Sequence, residues 1–133
     1  MASASADGAA SAATHFMTLY RYAYATGDVT EWDALSSDTC DFCASTREGA
    51  TRVASSGARI EGGEITVTSA AGTEVDPGRW YSATLTVSEA PSREIAASGD
   101  VVKSSEGGDY EFFLALSFVD GGWQVDAVEF QQL

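Results

Sequence analysis

Residues 58–70 read ARIEGGEITVTSA, and the hydrophobic period of the chain changes within them. Beyond Gly57, Ile65 and Val67 fall on one side of an extended chain, Thr66 and Thr68 on the other. Successive side chains of a strand point to opposite faces, so a period of two marks a strand with one face buried. Before Gly57 the period is three to four. Ala13, Phe16, Met17, Tyr20 and Tyr24 make a single apolar stripe on a helix that starts near Ala10. Helices come first and strands second, which is the order of an α+β layer fold.

Toward the N-terminus, Gly27 stands where a helix C-terminal glycine is expected. A short second helix is predicted from Thr30 as N-cap, with Trp32 and Leu35 facing inward. A third runs from Asp38 or Thr39 to Ser55, burying Cys40, Cys43, Val53 and Ala54. The opening MASASADGAASAA is small and polar; residues 1–11 read as a flexible tether with Met1 an added start residue, and 12–133 as one domain.

Toward the C-terminus, Pro77-Gly78 marks a turn into RWYSATLTVSEA (79–90). There Tyr81, Ala83, Leu85 and Val87 alternate cleanly with Ser82, Thr84, Thr86 and Ser88. REIAASGDVVKS (93–104) is a poorer strand, interrupted at Gly99 and Asp100. YEFFLALSFVD (110–120) is the most apolar and is expected to be central, covered in part on both faces. Gly121-Gly122 turns the chain into the last strand, where Val125 and Val128 break alternation and predict a bulge near Asp126 and Ala127.

The chain carries 20 acidic and 7 basic residues, a net charge of −13. Its one lysine, Lys103, and six scattered arginines cannot form the basic patch that nucleic acid or an anionic membrane requires. The acid is uneven, with 7 acids and 3 bases up to Gly57 and 13 against 4 beyond it. Self-repulsion that favours solubility accounts for this as well as a basic partner does. No apolar run approaches the roughly 18 residues of a membrane-spanning helix.

YAYATGD (22–28), LSSDTCDFC (35–43) and ARIEGGEITV (58–67) together resemble an uncharacterised family of exported actinobacterial lipoproteins. The element order resembles the NTF2-like, or cystatin-like cone, superfamily. These resemblances imply three N-terminal helices packed on a strongly curved, mostly antiparallel sheet, in an extracytoplasmic domain carrying a lipid anchor. They also imply a cone pocket. Relatives of that architecture include ketosteroid isomerase-like and polyketide cyclase-like enzymes, non-catalytic binding modules and dimerising domains, so fold alone leaves the activity open.

Cys40 and Cys43 are the only cysteines, spaced C-x-x-C. A thioredoxin-type pair follows a strand, whereas this one follows a helix and a Ser-Ser-Asp-Thr turn. Asp38 and Asp41 beside it disfavour a thiolate. A zinc site needs four ligands, and the only histidine is His15. A structural disulfide at the start of the third helix agrees best with these facts, and with an oxidising compartment.

An isomerase of this architecture needs a carboxylate in an apolar pocket opposite a tyrosine. Tyr20, Tyr22 and Tyr24 lie on the first helix; no acid lies among Tyr81, Ala83, Leu85 and Val87, or among Phe112, Leu114, Leu116 and Phe118. Glu61, Glu64, Asp126 and Glu129 sit at strand ends or near the bulge, and Glu61 with Tyr20 is the best available pair. No nucleotide, calcium or metal motif appears, and no cofactor is expected. The expected role is therefore binding, of a small apolar ligand or of an envelope protein partner, with a homodimerising scaffold as a further alternative. Phe16, Tyr20, Tyr24, Trp80, Tyr81, Phe112 and Trp123 are the aromatic supply for a pocket; equally, they would fill the cone.

Overall fold

The computed structural model describes residues 3–133. Three helices, α1 (Ala6–Thr26), α2 (Thr30–Leu35) and α3 (Asp41–Ser55), precede seven strands. These are β1 (Arg59–Gly62), β2 (Ile65–Asp76), β3 (Trp80–Glu89), β4 (Ser92–Ile95), β5 (Val101–Ser105), β6 (Gly108–Val119) and β7 (Gly122–Gln132). Every strand pairing is antiparallel.

The helix starts earlier than its stripe suggests. Ser5 caps α1 by accepting from the Gly8 N–H at 3.0 Å, and Gly8 and Ala9 are buried, so a tether extending to residue 11 is not what the chain forms. The small residues there serve close packing: a Cβ at Gly72 on β2 would overlap the Ala6 carbonyl oxygen. Gly27 ends the helix in the left-handed region at φ 77°, as expected. The N-cap of α2 is Val29 rather than Thr30, which is the first helical residue and donates its N–H to Asp28 Oδ1 at 3.0 Å.

The helices pack on antiparallel strands as expected, and the hydrogen bonds divide those strands into two sheets. β2-β3-β6-β7 form the larger and β1-β4-β5 the smaller. The break falls inside the RIEGGEI stretch, where Gly62 and Gly63 both have positive φ (79° and 76°), a conformation side chains with a Cβ resist. Across the break two backbone bonds join the sheets: Gly63 N–H to Pro91 O (3.0 Å) and Ala90 N–H to Glu64 O (2.9 Å). The interrupted strand is likewise a hairpin, β4 paired with β5. The fold bends here, and the bend opens space between α1 and the smaller sheet.

The larger sheet buries one face under α1. Tyr81, Ala83, Leu85 and Val87 of β3 and Phe112, Leu114 and Leu116 of β6 join Phe16, Met17 and Trp32 in the core. β6 is central as predicted, yet its other face is open, with Phe113 40% exposed. The predicted bulge is present: Ala115 pairs with Ala127 and Leu116 with Val125, leaving Asp126 extra. On α3 the buried side is Cys43, Thr46, Ala50 and Val53, while Ala54 faces outward.

Candidate functional site

Cys40 and Cys43 are joined by a disulfide with Cα atoms 5.2 Å apart. Cys40 is the N-cap of α3, and its Sγ accepts from the Cys43 N–H at 3.1 Å. Both cysteines are buried, and Trp32 donates its indole Nε1–H to the Cys43 carbonyl at 2.9 Å. Trp32 in turn stacks on Phe16 with ring centroids 3.9 Å apart. The staple thus fixes where α3 begins, and it fixes the residue held between the cysteines, Phe42.

Phe42 forms the helix-side wall of an inner cavity of about 110 Å³. Its ring lies 5.8 Å from that of Tyr20, 6.1 Å from that of Phe112 and 5.9 Å from that of Phe130. Met17, Ile65, Val87 and Tyr110 complete the apolar lining, and Glu89 is its one acidic residue. A second, outer cavity of about 270 Å³ adjoins it, sharing Tyr20 and Glu89. This outer space has a different character. α1 contributes Arg21 and Tyr24, α3 contributes Arg52 and Val53, and the kink contributes Ile60, Gly62 and Gly63. The smaller sheet adds Ser92, Glu94, Lys103, Ser104 and Ser105.

Burial pushes the Glu89 carboxyl above its ordinary value. Tyr20 is pushed further up, first by burial and then by Tyr24, Glu89 and Tyr110 nearby, so its hydroxyl stays protonated and can donate. Tyr24 is also raised, by burial foremost. Arg52 grips Glu94 with both guanidinium nitrogens at 3.3 Å, a fork-to-fork pair on a nearly buried carboxylate.

The residues proposed from sequence separate into two groups. Tyr20, Tyr24 and Phe112 line the cavities. Phe16 lies fully in the core beneath them. Tyr81 and Trp123 pack on each other at 4.9 Å away from either cavity, where the Tyr81 hydroxyl accepts from the Gly78 N–H at 3.0 Å. Trp80 is 52% exposed under the Arg79 guanidinium. Tyr22 is exposed on the outer side of α1. Glu61 lines neither cavity: Arg93 at 2.9 Å and Arg59 at 3.2 Å hold it in an exposed ion-pair cluster, so it is no candidate base. The carboxylate that does face Tyr20 is Glu89, and alternation announces it. Counting by two from Tyr81 through Ala83, Leu85 and Val87 reaches Glu89 one step later.

Residues 1–129 match a family of unknown function, DUF6318. No curated protein matches the sequence. Among solved structures, the chain is similar to Aln2 from a Streptomyces species, at 15% identity and TM-score 0.56, over 90% of this chain and 87% of that one. It is similar to an uncharacterised protein with a cystatin-like fold from Caulobacter vibrioides, at 10% identity and TM-score 0.56, covering 95% and 90%. It is also similar to the intermembrane space region of the chloroplast protein ARC6, at 13% identity and TM-score 0.57, covering 93% and 95%. Identities this low establish the fold, a cystatin-like cone of the NTF2 type, and nothing about activity.

Proposed function

The chain belongs to the DUF6318 family, and we propose that this domain is a non-catalytic binding module for a small molecule with an apolar end. One observation carries the reading: an aromatic cavity of about 110 Å³ shares Tyr20 and Glu89 with a second cavity of about 270 Å³ that is lined in part by charged and hydroxyl side chains. Apolar walls with a few convergent polar groups are the usual anatomy of a ligand site. The module works outside the cytoplasm, tethered to the cell envelope by a lipid anchor on the full-length protein. The buried disulfide supports the oxidising compartment, and the lipoprotein-like sequence stretches support the anchor. The test is a chemical-shift titration with 3-phenylpropanol. Saturable shifts centred on Tyr20, Val87 and Phe112, lost when Met17→Trp fills the inner cavity, are expected. Shifts that never saturate, or that fall elsewhere, would sink the reading.

Glu89 and Tyr20 favour a second reading, proton transfer on a carbonyl compound of the ketosteroid isomerase-like kind. In it Glu89 takes a proton from the carbon beside the carbonyl and returns it two carbons along, while Tyr20 donates to the oxygen. Conversion of a β,γ-unsaturated ketone to its conjugated isomer, followed by ultraviolet absorbance, decides between the readings. Turnover abolished by Glu89→Gln would replace binding with catalysis; no turnover leaves the module non-catalytic.

A further inference from the structure

We infer that the outer cavity is a carboxylate site, so that the ligand is a small aryl or alkyl carboxylic acid whose apolar end enters the inner cavity. This deepens the binding reading and rests on it. The chain has only 7 basic side chains against 20 acids, yet Arg21, Arg52 and Lys103 all line this one space. The other four, Arg47, Arg59, Arg79 and Arg93, lie within 3.6 Å of carboxylate oxygens elsewhere. An acidic protein repels anions at long range, so a site for one requires its few cations to be gathered locally.

The three cations differ in how far they are satisfied. Arg52 is engaged by Glu94 and neutralises that wall. Lys103 is, among the described residues, the one basic side chain without an ion-pair partner. Arg21 meets Glu64 only at 3.9 Å, and its Nε is buried with no hydrogen-bond acceptor. A buried donor left without an acceptor is costly, and the planar guanidinium matches a carboxylate bidentately once it turns toward one. The hydroxyls of Ser92, Ser104 and Ser105 stand on the same wall as further donors.

The acids of the cavity do not oppose this. Glu94 is answered by Arg52, so the remaining acid of the lining, Glu89, stands against two cations, Arg21 and Lys103. An amine would meet the positive charges of Lys103 and Arg21, and an alcohol would form no ion pair with either. Size sets the other limit. The inner cavity of about 110 Å³ is smaller than the cavity of about 150 Å³ known to hold benzene, so it admits no more than one ring or a short alkyl chain.

Calorimetric titration of the disulfide-intact protein with 3-phenylpropanoate, 3-phenylpropanol and 3-phenylpropylamine separates the possibilities, because the three share a ring and chain. The acid should bind tightest, by at least about tenfold over the alcohol, the worth of one charge-assisted contact. That preference should vanish in the Arg21→Gln/Lys103→Gln variant and persist in Arg93→Gln, with circular dichroism melts showing that both fold. Equal binding of acid and alcohol, or tighter binding of the amine, overturns the carboxylate site and leaves the binding module standing. A preference that survives the double variant overturns the assignment to Arg21 and Lys103. If none of the three binds, both readings fall.

Discussion

Glu89 ends the inward-facing series of β3, and its position has an energetic consequence that can be measured without any ligand. Burial raises its carboxyl above the usual value, so the folded chain holds that proton more readily than the unfolded chain does. Ionising it therefore costs stability as pH rises, and below the unfolded value, where both states are protonated, the cost is gone. Glu89→Gln is expected to melt above wild type at about pH 7 and to converge with it near about pH 4. Circular dichroism melts across that range test the sign. A variant less stable than wild type at neutral pH would mean that the ionised carboxylate is held by favourable contacts instead. At this scale the sequence is half legible. Tyr20 follows from the helical stripe, and Glu89 is reached by extending an alternation already in hand. By contrast, Glu61 looks suitable only because Arg93 meets it across the β1–β4 ladder, through a pairing that no local pattern reveals.

Among the elements, α3 shows how a short motif governs a site. The disulfide constrains a four-residue loop, for which chain entropy assigns about 2 kcal/mol. The geometric effect is larger than that figure suggests, since the same turn aims Phe42 at Tyr20, Phe112 and Phe130. Cys40→Ala/Cys43→Ala should lower the unfolding free energy by about 2 kcal/mol in urea titrations. It should also weaken binding of 3-phenylpropanol, because Phe42 then wanders from the cavity wall. Lost stability with unchanged binding would show that α3 holds Phe42 without the staple. The helices and the hairpin into β7 are legible because their periods and glycine stops are local. Two features are not. The Gly62–Gly63 kink reads as ordinary strand punctuation until Pro91 and Ala90 are seen opposite it. Trp80, Tyr81 and Trp123 share aromatic chemistry with the pocket residues, but only the three-dimensional pairing sends them to a different part of the sheet.

For the whole molecule the governing quantity is charge. Among the described residues, six of the 7 basic side chains are engaged in ion pairs, which leaves most of the 20 acids there without one of these cations. Added salt acts on this distribution in two opposed ways. It weakens the surface pairs, each worth up to about 1 kcal/mol when exposed, and it relieves the mutual repulsion of the surplus acids. The pairs are short-ranged and the Arg52–Glu94 contact is partly shielded from solvent, whereas the repulsion is summed over the whole surface. At about 0.01 M ionic strength the screening length is about 30 Å, comparable to the domain itself, and at about 0.1 M it falls to about 10 Å. Relief of repulsion should therefore win, and the melting midpoint should rise by a few degrees over that interval, equally in sodium and potassium chloride. A fall would mean that the ion pairs carry more of the stability than their exposure suggests. A rise specific to one cation would point to a bound ion among the acids of the strand half, where 13 acids face 4 bases.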